Sequence, residues 1–334
     1  MSGVGVAEHH HGEILQGAVR RGGEVVSCLI TMPTRRVGSR ARYESAVAGA
    51  AGAGSPLEPC DREVLAGPRL ASGGDGGDAG ASALNERVLE VVPAWKLKAA
   101  RAARLALEVV GAPAVGGRLE IECSVATGVG LGSSTCDVVA AIRAVCAAYG
   151  VAVEPDVVAR IAVAAEGAVD PIMFDREVVL FAQRQGRVLE RFGSWSPPYV
   201  VVSVDTDVGT AGIDTLSLPP PRYTDAELDA FEGLVARSRA AFERRDAAAI
   251  AVVATESATM NQRFVSLRGF REIVALADEF GALGVQIAHS GTVAGILFDA
   301  GTTRARELTS EVMARVRRLG ARPLGVFETG VDTD

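Results

Sequence analysis

The alternation of apolar and polar positions is clearest at Leu119-Glu120-Ile121-Glu122-Cys123-Ser124-Val125, which predicts a strand with one buried face. Directly after it the pattern changes. Gly128-Val129-Gly130-Leu131-Gly132-Ser133-Ser134-Thr135 brings glycines and hydroxyls together, and residues 136–146 continue as an Ala/Val-rich run that predicts a buried helix. A strand, a glycine loop and a helix start make a place to hold phosphate. Glycine lets the backbone approach an anion, and a helix N-terminus offers free N–H groups and partial positive charge. The hydroxyls can cap the helix, meet phosphate oxygens or ligate Mg²⁺. A plain tight turn with an N-cap fits the same residues, so the loop alone does not decide.

Along the rest of the chain, 13–19 and 24–32 read as strands joined by the turn Arg20-Arg21-Gly22-Gly23. His9-His10-His11 read as loop residues, because the sequence offers no further metal donors beside them. Residues 46–83, dominated by Ala, Gly and Ser, predict a mobile insertion with little to bury. An amphipathic helix is predicted over 93–110, with Pro93 near its start, and a second helix over 156–165. Strands follow at 177–182, 188–192 and 199–205; the last is almost entirely apolar and belongs inside a sheet. Leu216-Ser217-Leu218-Pro219-Pro220-Pro221 reads as a linker that divides 1–215 from 222–334. Beyond it come helices at 225–244, 247–263 and 268–280, then strands at 284–288 and 293–298 around the turn His289-Ser290-Gly291-Thr292. A helix at 303–319 and a closing strand at 323–328 complete an α+β order.

Composition narrows the function. Of 334 residues, 48% are hydrophobic and 22% charged, enough for a packed core. A net charge of −7 argues against a nucleic-acid partner, which needs a basic face. No apolar run is long enough to span a membrane, and five cysteines without C-x-x-C spacing fit a reduced, cytoplasmic setting. Without a Gly-x-x-x-x-Gly-Lys-Ser/Thr element, a P-loop fold is not expected.

Taken together, Gly130-Leu131-Gly132-Ser133-Ser134 opening a helix, Gly12-Glu13 near the start and the strand–turn–strand unit around Gly291 resemble the GHMP kinases. Within that superfamily, Gly12-Glu13-Ile14-Leu15-Gln16-Gly17, Val26-Ser27-Cys28, Asp170-Pro171-Ile172-Met173-Phe174 and Ala288-His289-Ser290-Gly291-Thr292-Val293 look like the L-threonine kinase branch, which makes O-phosphothreonine for cobalamin synthesis. The resemblance implies two domains, an N-terminal one like ribosomal protein S5 and a C-terminal ferredoxin-like α/β sandwich. It also implies ATP and Mg²⁺ as cofactors and a small hydroxy amino acid as substrate, with a homodimer left open. The sequence departs from the branch pattern at Ala7-Glu8-His9-His10-His11, where a Cys-Pro-Gly-Thr-Cys element is usual. Ala126 replaces the usual Pro, Val129 the usual Lys, and Gly167-Ala168-Val169-Asp170 the usual Glu-Pro-Thr-Asp. Homoserine or another alcohol remains an alternative acceptor, and a non-catalytic nucleotide-binding regulator is the alternative from another class.

By resemblance, Gly128, Gly130, Leu131, Gly132, Ser133, Ser134 and Thr135 hold ATP, and Ser134 is the hydroxyl on Mg²⁺. Asp170 is the base or acceptor-orienting carboxylate, although Asp-Pro also commonly starts a turn. Glu166 is either a second Mg²⁺ ligand or a solvent-facing residue at a helix end. Glu13 and Gln16 are expected at the substrate, with Ser290, Gly291 and Thr292. A histidine alone on a turn is more often structural, so His289 ranks behind them. Asp137 is expected to sit in the field of the helix N-terminus. The arginines of the last helix read as a solvated face.

Overall fold

The computed structural model describes residues 1–46, 88–113, 115–124, 132–175, 177–208, 221–289 and 292–330. The expected insertion at 46–83, apart from residue 46, and most of the expected linker lie outside these residues, as do Gly128, Gly130, Leu131, Ser290 and Gly291.

The first hairpin is far longer than the apolar pattern suggested. Strand β1 covers Ser2–Arg21 and β2 covers Glu24–Ser45, paired antiparallel from Arg21↔Glu24 out to Ser2↔Glu44. His9, His10 and His11 are therefore strand residues, not loop residues. The outer half of β2 carries its own two-residue period: Arg40, Arg42 and Glu44 are exposed while Ala41 and Tyr43 are fully buried. Next come β3 (Leu89–Val92), α1 (Leu97–Val109), β4 (Gly117–Cys123), α2 (Ser133–Ala148) and α3 (Pro155–Glu166). Helix α1 starts at Leu97 rather than at residue 93, since Pro93 to Lys96 form the turn leading into it. Then follow β5 (Val178–Ala182), β6 (Arg187–Gly193), β7 (Tyr199–Asp205), α4 (Asp225–Glu243), α5 (Ala247–Asn261) and α6 (Phe270–Glu279). The chain closes with β8 (Gly284–Ile287), β9 (Val293–Asp299), α7 (Thr303–Arg318) and β10 (Arg322–Glu328).

The strands run in the order β10-β7-β9-β8-β1-β2-β4-β3, with β5 joined to β2 and to β6. Strand β1 is the seam. It pairs with β2 along its length and meets β8 at the single pair Glu13↔Ile287. Strand β7, fully buried as its apolar run predicts, pairs with β9 and β10 on the C-terminal side of the seam.

Helices α1, α2 and α3 pack over β1, β2 and β4 around Tyr43, Leu119, Ile142 and Ile161. Helices α4 and α5 cover the inner ends of β1 and β2, and α6 and α7 cover β7 to β9. The seating of α2 follows from small residues on both partners. A Cβ on Gly5 would lie 2.1 Å from the Ala140 carbonyl oxygen, and one on Gly3 would lie 2.3 Å from the Ala148 nitrogen. Backbone therefore lies against backbone, and the start of α2 is held beside the middle of β1.

Candidate active site

Four segments converge at that point: the bulged middle of β1, the start of α2, the end of α3 with the segment after it, and the turn after β8. The register of β1 against β2 shifts four times between Ala7 and Leu15. Such bulges break the simple in-and-out alternation and re-aim side chains. Their effect is that His10 and Glu13 both face α2 and Asp170, while His11 faces away into the sheet core.

The α2 end carries the expected phosphate features. Gly132 precedes the helix at φ 70°, and a Cβ there would fall 2.5 Å from the His10 ring, so only glycine fits. Ser133 is buried at the first helical position. Ser134 Oγ donates a short hydrogen bond to Glu166 Oε1. Thr135 Oγ1 lies 3.3 Å from Glu166 Oε2 and 3.4 Å from Asp170 Oδ2, touching both carboxylates. Glu166 is 9% exposed and meets Ser134 and Thr135, so it is not a solvent-facing helix end. Burial pushes its carboxyl upward, partly offset by Ser134 and Lys98. Lys98 Nζ is 3.0 Å from Glu166 Oε1 and half-exposed. Asp137 also departs from expectation. It is buried in an ion pair with Lys96 and accepts a 2.7 Å hydrogen bond from Ser39 Oγ. A hydroxyl and a carboxylate facing one another are hard oxygen donors of the kind Mg²⁺ takes.

Opposite stands a cluster of imidazoles and carboxylates. His10 Nε2 lies 2.9 Å from Asp170 Oδ2, and His289 Nδ1 lies 3.0 Å from Glu13 Oε1 and 3.8 Å from Asp170 Oδ1. Burial alone would lower the His10 imidazole, but the charges of Asp170 and Glu13 outweigh it and hold it at about 9. Burial would raise Asp170, but His10 and then His289 keep it well below the usual carboxylate range. Glu13 is pushed upward, because its burial exceeds the pull of His10 and His289.

The sequence reading and the geometry agree on Gly132, Ser134, Thr135, Asp170, Glu166 and Glu13, which come together. Gln16 and Thr292 do not join them. Gln16 is held through its backbone: its N–H donates to Ser257 Oγ at 2.9 Å, and its carbonyl accepts from Asn261 Nδ2 at 2.6 Å, both on α5. Thr292 Oγ1 donates to Asp205 Oδ1, tying the turn to the end of β7. Residues underweighted by sequence reasoning are His10, His289, Lys96 and Lys98. One signal could have found the lysines: against 32 arginines, the chain has only these two, and both stand before α1 or within its first turn. The histidines carried no such signal, because their carboxylate partners are remote in sequence.

A family model described as GHMP kinases N terminal domain matches residues 97–174, and one described as GHMP kinases C terminal matches 238–314. No curated protein matches the chain by sequence. Among solved structures, a homoserine kinase from Cytophaga hutchinsonii aligns over 99% of this chain and 95% of its own, with 15% identity and a TM-score of 0.60. A mevalonate kinase from methicillin-resistant Staphylococcus aureus aligns over 98% of both chains, with 16% identity and a TM-score of 0.56. The L. major mevalonate kinase in complex with R-mevalonate aligns over 98% and 94%, with 14% identity and a TM-score of 0.57. At these identities the shared property is the two-domain α+β fold. Among the described residues, no helix is long and apolar enough to cross a membrane.

Proposed function

The chain belongs to the GHMP kinases, small-molecule kinases that use ATP, and on that premise we propose that it phosphorylates the side-chain hydroxyl of L-threonine or a close analogue. The observation that carries the reading is the position of Asp170. It is 5% exposed and touches both walls of the site, Thr135 on the α2 side and His10 on the β1 side.

Phosphoryl transfer asks the protein mainly for alignment and charge stabilisation. The N-terminus of α2 supplies N–H groups and a favourable dipole for the nucleotide's phosphates. Ser134 and Glu166 are the residues to hold Mg²⁺, which neutralises charge on the β- and γ-phosphate oxygens when bound with ATP. Lys98, half-exposed beside Glu166, can turn its ammonium to the same phosphates. Asp170 stays ionised through the neutral range and accepts the hydrogen bond of the acceptor hydroxyl, aiming its oxygen at the phosphorus. As the bond from the γ-phosphorus to the acceptor oxygen forms and the bond to the leaving ADP breaks, the hydroxyl proton passes to Asp170.

Glu13, buried at the back of this wall, suits an acceptor that carries an ammonium or a second hydroxyl. A cavity of about 30 Å³ adjoins His10, lined also by Thr31, Ile172 and Phe174 and by Glu8, Asp175 and Glu177; Asp170 and Glu13 are not in its lining, so it does not select the acceptor. The resemblance of the Gly12-Glu13-Ile14-Leu15-Gln16-Gly17 and Asp170-Pro171 elements to the threonine kinase branch supports the choice of threonine.

Release of ADP from Mg²⁺-ATP across a panel of hydroxy amino acids, sugars and mevalonate tests the reading. Turnover on L-threonine, lost in Asp170→Asn, is expected. Preferential turnover on homoserine would replace the acceptor, and ATP binding without acceptor-dependent ADP release would make the chain a regulator.

A further inference from the structure

Three buried side-chain atoms in the β1 wall have no hydrogen-bond partner: His10 Nε2, Glu13 Oε2 and Asp170 Oδ1. The residues that own them are 1%, 2% and 5% exposed. Unpartnered polar atoms at that depth are costly, and here three belong to one cluster. One donor atom from each of His10, Glu13 and Asp170 lies within 4.8 Å of the others. Without an ion, His10 Nε2 and Asp170 Oδ2 stand 2.9 Å apart as a charged pair, and an ion binding between them displaces the His10 proton. Two ligands on bonds of ~2.1 Å at right angles to a common ion stand ~3 Å apart. The other ring nitrogen of His10 faces the Gly12 carbonyl oxygen at 3.4 Å, the kind of contact that orients a ligating imidazole and leaves its second nitrogen free. His289, with Nδ1 close to both carboxylates, stands where a fourth donor would.

We propose that His10, Glu13 and Asp170, with His289 beside them, bind one divalent first-row transition ion. This site is separate from the Ser134–Glu166 pair that would receive the nucleotide's Mg²⁺. The donor set separates the two. Imidazole with carboxylates suits Zn²⁺, Mn²⁺, Fe²⁺ or Co²⁺, whereas a hydroxyl and a carboxylate suit Mg²⁺. Binding needs no nucleotide and does not rest on the kinase reading; its consequence for catalysis does. With an ion bound, the acceptor's oxygen would be drawn to the ion and its hydroxyl made more acidic, and this contact would replace the direct hydrogen bond to Asp170 that serves the metal-free site.

The test uses the full chain, stripped with chelator and then titrated with Co²⁺ without nucleotide or acceptor, and followed by visible absorption and calorimetry. One Co²⁺ per chain is expected, with nitrogen and oxygen ligand bands. Glu13→Gln and His10→Ala should each weaken binding at least ~10-fold, in the range seen when the surroundings of a metal site are disturbed. Ser134→Ala and His9→Ala should leave it unchanged. Glu13→Gln preserves shape and keeps the test decisive if His10→Ala does not fold. Absence of saturable binding, or binding kept in Glu13→Gln but lost in His9→Ala, would overturn the assignment and place the ion on the histidine run alone. A failed Co²⁺ titration with intact ADP release would sink this site and spare the kinase reading; the reverse pair of results would do the opposite.

Discussion

His10 and His11 are chain neighbours on one strand, each about 1% exposed, yet their protonation is pushed in opposite directions. His10 faces Asp170 and Glu13 and is held at about 9. His11 faces Ser203 Oγ at 2.7 Å, the side-chain amide of Gln286 and the Phe327 ring, and burial with the charges of His9 and His10 lowers it to about 3. Burial acts alike on both; the partners differ. A bulge in β1 turns one imidazole to a carboxylate wall and the next to a neutral core, and only the first stands in the candidate site.

The two histidines should therefore limit stability from opposite ends of the pH scale, in metal-free buffer. Between pH 6.5 and 3 the unfolded chain binds a proton that folded His11 refuses, so stability falls with pH, by up to about 5 kcal/mol for a shift of this size. His11→Leu should remove that part of the acid limb, read by urea unfolding across pH, while adding a pH-independent cost from stranding Ser203 and Gln286. An unchanged acid limb would break the comparison. Asp170→Asn removes the main charge that raises His10. It should lower kcat by about 10²–10⁴-fold and bring the His10 titration, followed by NMR, down from about 9 toward its neighbour's behaviour. His10 itself, raised from 6.5, stabilises the fold fully below pH 6.5 and loses that contribution as pH rises through about 9, roughly 3 kcal/mol in all. In His10→Gln this alkaline limb should flatten. The smallest effect belongs to the α2 wall: Lys98→Ala removes a half-exposed ion pair worth at most about 1 kcal/mol. It should raise KM for ATP under about fivefold, with kcat little changed; a large fall in kcat would move Lys98 into the chemistry.

The α2 wall was legible because its signal is local. Gly132, Ser134 and Thr135 stand together, and an adjacent strand and helix pattern gives them a setting. Asp170 and Glu13 were found only through motif resemblance, since neither position is unusual by composition. The His9-His10-His11 run was misread as a loop because the bulges of β1 break its two-residue period there, and the groups His10 meets lie apart from it: Glu13 across a bulge and Asp170 from the segment after α3. Gln16 and Thr292 show the opposite pattern. Each stands near site residues in the sequence but is bonded into the scaffold, to α5 and to Asp205.

Periodicity and glycine placement determined most of the elements, the α+β class and the place where α2 begins, because these depend on interactions within a few residues. The tertiary structure decided which histidine is charged, that Glu166 is buried and that Asp170 joins both walls. Those outcomes depend on distances between segments far apart in the chain, set by the bulges of β1 and by Gly3 and Gly5 seating α2 against it.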